Sequence, residues 1–300
     1  MSARPVTLAN PIAMIELITE PFEYGFMRRA LAAVTLAAIN CALIGVYVVL
    51  RRMAFLGGAL SHTILPGVVL AYLKGFSLFL GALGASLITA LGVGWLARRR
   101  ELREDTAIGV VLSGMFALGV LMMGFATSYR DFSTILFGSI LGVEGNDLLL
   151  IGAVTGVVVL VLGLLHKELE LSSYDSDYGL QLGMRPALLR LVVLCLTALS
   201  VVSAVRMVGA LLTTALLITP AAAACLLARD LKRIMMIAVA IAVVSGWVGL
   251  YLSYFYESIA PGAGIVLATT LFFALAWLWR TWREHTRMKS VTADGPENLS

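Results

Sequence analysis

The chain has 300 residues, 60% of them hydrophobic and 13% charged, with a formal charge of +4 and a mean hydropathy of +0.95. A soluble domain carries about 25% charged residues, so a soluble globule of this size is excluded. The small positive excess comes with no base-reading module, which excludes a nucleic-acid partner. What is left is an all-α, polytopic integral membrane protein, because a spanning barrel shows alternation in place of long apolar runs.

Residues 1–29 do not read as a cleaved leader. Glu16, Glu20 and Glu23 interrupt the apolar residues, and Arg28 and Arg29 follow them instead of leading. The segment is expected to be extracytoplasmic, or to lie flat at the interface. The apolar body, 30–282, comes next. A spanning helix needs about 20 apolar residues, and the stretches 30–50, 55–73, 76–97, 106–126, 147–165, 187–205, 207–228, 234–256 and 262–282 qualify. Pro66 interrupts the second and the split at Arg206 is narrow, so the count is eight or nine. After 282 the chain is polar and mixed in charge, and 283–300 is expected to be a disordered cytoplasmic tail.

Placing the N-terminus outside and the C-terminus in the cytoplasm puts sixteen of the 22 basic residues inside, leaving Arg4, Arg28, Arg29, Lys74, Arg130 and Arg206 outside. The positive-inside rule selects that orientation, with Arg28 and Arg29 against it. The apolar piece 132–143 is too short to span and reads as re-entrant or interfacial. The glycine pairs Gly138/Gly142 and Gly152/Gly156 have the spacing of close helix crossings, although glycine is common in membrane helices anyway. Cys41, Cys195 and Cys225 lie in apolar runs and read as small buried hydrophobes.

The cytoplasmic stretch 167–186 is the most polar internal segment. Ser173, Asp177, Gly179 and Gly183 suggest one short capped helix stopped by a glycine, and Pro186 then opens the next span. Such a helix could dock a partner, or be a plain solvated loop.

Chemistry narrows further. No GxSxG elbow or HExxH helix is present, and Ser61 and His62 are neighbours that point about 100° apart on a helix. None of Lys74, Lys167, Lys232 and Lys289 follows a glycine, so there is no phosphate-cradling GK[ST] loop, and any ATP must be bound by another chain. Carboxylates deep in the spans, expected of an ion-coupled carrier, are absent. His62 is the one ionisable side chain deep in an apolar span. An imidazole there is either a hydrogen-bonded packing residue or a ligand for a first-row transition metal. Asn40, Ser61, Thr63, Ser113, Thr213 and Thr214 are neutral groups that could line a path or bond their own helix.

The run Arg51-Arg52-Met53-Ala54-Phe55-Leu56-Gly57, leading to Ala59-Leu60-Ser61-His62 and Pro66-Gly67, carries a family resemblance. So do Asp105-Thr106-Ala107-Ile108-Gly109, Ile135-Leu136-Phe137-Gly138, Leu217-Ile218-Thr219-Pro220-Ala221, Gly249-Leu250-Tyr251 and Pro261-Gly262. Over nearly its whole length the chain resembles the membrane permeases of bacterial ABC importers for zinc, manganese and iron(II). The resemblance implies a homodimeric permease in the lipid of the cell membrane. Its partners would be two cytoplasmic ATPase subunits, which bind the ATP, and an extracytoplasmic metal-binding protein. It implies no resident cofactor, with manganese or zinc as the transported ion and iron(II) third. It makes His62 the metal contact, and Asp175, Ser176, Asp177, Tyr178, Gly179 and Gly183 the segment that couples to the ATPase. A permease for a larger chelate and a carrier needing no ATPase are the alternatives. Many members carry aspartate four residues before the histidine; this chain has Gly58, so that carboxylate is missing and a weak, fast-releasing site is expected.

Overall fold

The structure is a computed structural model in which residues 22–97, 103–125, 140–174, 176–256 and 259–293 are described. Apolar runs long enough to cross a bilayer can satisfy their backbone only as helices, and the described residues form nine such spans. They are α1 (Gly25–Leu50), α2 with α3 (Phe55–Thr63 and Leu65–Lys74), α4 (Leu78–Leu96), α5 (Glu104–Met123), α6 (Gly145–Leu164), α9 (Pro186–Val208), α10 (Ala210–Leu227), α11 (Leu231–Phe255) and α12 (Pro261–Ala293). Two short helices, α7 (His166–Tyr174) and α8 (Ser176–Gln181), stand between α6 and α9.

The helix α1 is the hub. It packs on α6, α9, α10 and α11, and most of its Ala, Val and Ile side chains are buried. Around it lie two groups: α10, α11 and α12 touch one another, while α2 to α5 pack together and join α9. The most outlying spans, α5 and α12, leave most of their apolar surface exposed, as lipid-facing helices do.

Close approach is set by a few glycines. Gly45 of α1 lies against the Leu217 carbonyl of α10, and Gly67 of α3 against the Gly81 carbonyl of α4. The crossings expected at Gly152 and Gly156 do not occur among the described residues: Gly152 only touches Leu36, and nothing lies near Gly156.

Three boundaries differ from the sequence reading, each for a local reason. Pro66 has no N–H to offer the His62 carbonyl, so the second span breaks at Ile64 into α2 and α3 without turning back. The α9/α10 junction falls at Gly209, whose φ of +84° suits glycine, and not at Arg206. Arg206 stays in the last turn of α9, paired with Asp147 at 2.8 Å across to the start of α6. The last helix continues past 282 to Ala293, supported by the Arg280–Glu284 pair at 2.9 Å, where the composition predicts a disordered tail. Residues 294–300 lie outside the described residues, as do 1–21. The short piece 132–143 does too, except for its last turn, the 3₁₀ helix Ile140–Gly142.

A Cβ on Gly67 would strike the Gly81 backbone, whereas one on Gly84 meets nothing within 4 Å. Gly67→Ala should therefore cost about 1–3 kcal/mol and Gly84→Ala nothing measurable. Thermal unfolding in detergent checks the pair.

Candidate functional site

The site begins with the turn that precedes it. Arg51, Arg52 and Met53 donate backbone hydrogen bonds to Tyr47, Val49 and Val48 at 2.9–3.0 Å, and Arg52 takes a left-handed φ of +58°. The chain leaves α1 by this tight turn and enters α2 at Phe55. His62 comes seven residues later, at a rise of about 1.5 Å per residue, so the ring sits roughly 10 Å into the span from its basic end.

His62 is exposed although its helix is largely buried. Its ring meets Phe116 of α5 edge-on, with centroids 6.2 Å apart. Ser113, one turn before Phe116, is exposed on the same helix and donates to the Gly109 carbonyl at 2.9 Å. Gly58, one turn before His62, faces α10, where a Cβ would touch only the Thr214 methyl at 3.9 Å. Thr214 donates to the Leu211 carbonyl at 2.8 Å. Thus His62 of α2 lies open beside Phe116 of α5, with Ser113 exposed one turn away on α5 and Thr214 of α10 beside Gly58.

The other residues that the sequence offers as path lining are elsewhere. Asn40 is fully buried between α1 and α9, where it accepts from Ser200 at 2.9 Å and donates to Ser203 at 3.4 Å. Ser61 and Thr63 are fully buried and donate to the Gly57 and Leu60 carbonyls. Thr213 is likewise buried and bonds Gly209. Asn40 ties two helices together, the other three satisfy their own helix, and none of the four reaches the open surface; only Ser113 and Thr214 stand with His62. Buried and open positions alternate around each helix, and the sequence, lacking the neighbouring helices, does not separate the two sets. No group of three His, Cys, Asp or Glu side chains that could hold a metal occurs among the described residues.

At the basic end, the polar segment forms two helices where the sequence predicts one. Ser173 is not a cap: it lies inside α7 and donates to Leu169. Asp175 is outside the described residues; Ser176, Asp177 and Tyr178 are on α8, followed by Gly179. Gly183 takes φ +79°, and the turn closes through Gly183 N–H to Leu180 and Met184 N–H to Gly179.

Comparison with known proteins gives three kinds of likeness. The model of the ABC 3 transport family matches residues 23–280. The manganese transport system membrane protein MntC of Listeria innocua is 37% identical over 257 residues, covering 86% of this chain and 91% of that one. The chelated iron transport system membrane protein YfeD of Yersinia pestis is 33% identical over 290 residues, covering 96% and 97%. Among solved structures, PsaBC from Streptococcus pneumoniae in complex with Fab is similar with a TM-score of 0.78 and 31% identity, covering 88% of this chain and 95% of that chain.

The space beside Gly58 makes one substitution informative. Gly58→Asp should be tolerated at its Cβ, which meets only the Thr214 methyl, and should place a carboxylate one turn from the imidazole. Manganese binding to the purified chain should tighten. Isothermal titration of the two proteins checks it, with the double variant Gly58→Asp, His62→Ala as the control that abolishes the gain.

Proposed function

The chain belongs to the ABC 3 transport family and is a membrane permease of an ATP-driven metal importer, and we propose that two copies of it pass manganese between them. It is a transporter and not a catalyst, and its family works with a separate ATPase and a substrate-binding protein. The absence of any glycine–lysine pair in the sequence agrees with ATP being bound elsewhere.

The observation that carries the dimer is the exposure of His62. An imidazole on a hydrocarbon-level surface is costly against lipid. Facing the same surface of a second copy, it looks instead onto a shared polar seam with its symmetry mate, Ser113 and Thr214. Two imidazoles then converge from a pair that a two-fold axis relates. The permease lies in the cell membrane with its N-terminus outside, because the basic residues cluster on the other side. Residues 175–183, between two spans on that basic side, dock the ATPase. The N-terminal 1–29 stay extracytoplasmic, and 30–282 form the permease body.

Manganese leads because relatives at 37% identity are named for it, with iron(II) next through the iron-named relatives and zinc third. An imidazole with few other donors binds manganese weakly, which suits a conduit more than a store. A larger chelate would need a wide cavity open to this face.

With its ATPase and binding protein supplied to cells lacking their own manganese importers, the chain should restore manganese uptake. Loss of a metal-site partner typically costs about 10–100-fold, and His62→Ala should lower the initial rate on that scale. Uptake unchanged by His62→Ala would remove the residue from the path. Uptake by this chain alone, in vesicles without nucleotide, would overturn the ATP-driven reading.

A further inference from the structure

The cytoplasmic end holds a set of buried polar contacts that the path does not use. Arg51, half-buried, donates through Nη2 to Ser172 Oγ at 3.2 Å and through Nε to Ser173 Oγ at 3.3 Å. Both serines are on α7, which runs directly into the docking segment. α7 rests on the ends of α1, α6 and α9, with Leu169 fully buried. Beside this pair, Arg190 of α9 meets Glu104 of α5 at 2.9 Å and donates to the Ala97 carbonyl at 3.4 Å, at the end of α4. Four spans, α1, α4, α5 and α9, therefore meet α7 in one polar cluster.

Two features show that the cluster is not a settled structural knot. The Tyr47 hydroxyl, Glu104 Oε2 and Arg190 Nε are buried without a hydrogen-bond partner. Buried polar groups are nearly always paired, so these atoms have capacity left for another partner. Burial also pulls the Arg51 pKa down, against the Glu104 carboxylate, which favours the charge. A second arrangement, with the Arg51 guanidinium moved toward Glu104 and Tyr47, would give the Glu104 Oε2 and Tyr47 hydroxyl oxygens a donor and release α7.

We propose that Arg51 is a positioning residue that transmits movement of the ATPase-docking segment to the helix bearing His62. The path is short and stiff. Arg51 grips α7 with its side chain, and its backbone is the first residue of the three-bond turn that ends at fully buried Met53. Leu56 N–H then bonds the Met53 carbonyl at 2.9 Å, which ties the first turn of α2 to the same corner. Displacement of α7 pulls on Arg51, the rigid corner carries the pull, and α2 moves its histidine against α5 and α10. The side chain makes this link across 122 positions of sequence, beside the apolar contact of buried Leu169. The proposal rests on residues 175–183 being the docking segment.

The test uses the complete complex, with ATPase and binding protein, in proteoliposomes, where manganese uptake and ATP hydrolysis are measured together. Coupling free energies correspond to roughly 5- to 150-fold changes, and Arg51→Gln should lower manganese moved per ATP hydrolysed by about tenfold. Arg51→Lys, which keeps the charge but not the two-serine fork, should fall between. Ser172→Ala combined with Ser173→Ala should reproduce the defect, and adding Arg51→Gln to it should do little more. If Arg51→Gln does not assemble, the serine pair decides alone. An unchanged uptake-to-hydrolysis ratio in the serine pair, with the complex intact, overturns the proposal. So does equal loss of uptake and hydrolysis, which is what a merely structural role predicts. The parent complex is the separate control: no metal-dependent uptake by it would fail the permease reading and not this one.

Discussion

Inside the hydrocarbon there is no water to hydrogen-bond a polar group, so each must find its partner within the chain. Many in-span hydroxyls among the described residues meet this demand by the shortest route, while those of Tyr47, Ser86, Thr155 and Ser245 are buried without a partner. Ser61, Thr89, Thr197 and Thr213 each donate to the carbonyl four residues back. Asn40 cannot do this, having a second donor and a second acceptor to satisfy, and it is paired with two serines of α9 instead. That triad fixes how α1 and α9 are turned relative to each other. His62 stands apart: among the described residues it makes a ring contact with Phe116 and no side-chain hydrogen bond.

The helical class and the nine spans of the described residues are legible because the signal is simple. Apolar length alone defines a membrane helix, and the stretches at 147–165 and 187–205 match their helices to within a few residues. Breaks are harder. Pro66 announces a disturbance, but whether a proline kinks a span or ends it depends on which neighbours cover the freed His62 carbonyl. Gly209 is masked by Arg206, because charge is the more conspicuous boundary signal; the chain instead keeps Arg206 in helix and pairs it with Asp147. The site is half legible. The oddity of His62 shows in one dimension, whereas its partition from Ser61 and Thr63 is a matter of which face α5 and α10 cover. Ser173 shows the same limit: a serine before a glycine-stopped stretch resembles a cap, and only the arrival of Arg51 from a segment 122 residues away gives it another role.

Gly58 and His62 together define what the membrane face can do. A conduit has to bind its ion well enough to accept it and weakly enough to let it leave. A carboxylate beside the imidazole would supply the hard oxygen that manganese prefers, and nothing steric forbids it, since the space beside Gly58 is bounded only by a methyl group. The chain therefore does without a ligand it has room for. With one imidazole per copy, the dimer proposed above offers two nitrogen donors and a ring of hydroxyls already engaged with their own helices. Such a set slows a divalent ion without trapping it. A helix broken at Ile64 and joined to the basic corner by a stiff three-bond turn is suited to rigid-body motion of its first half. Its lower half can move with the corner while α3 stays packed on α4 through Gly67 and Gly81.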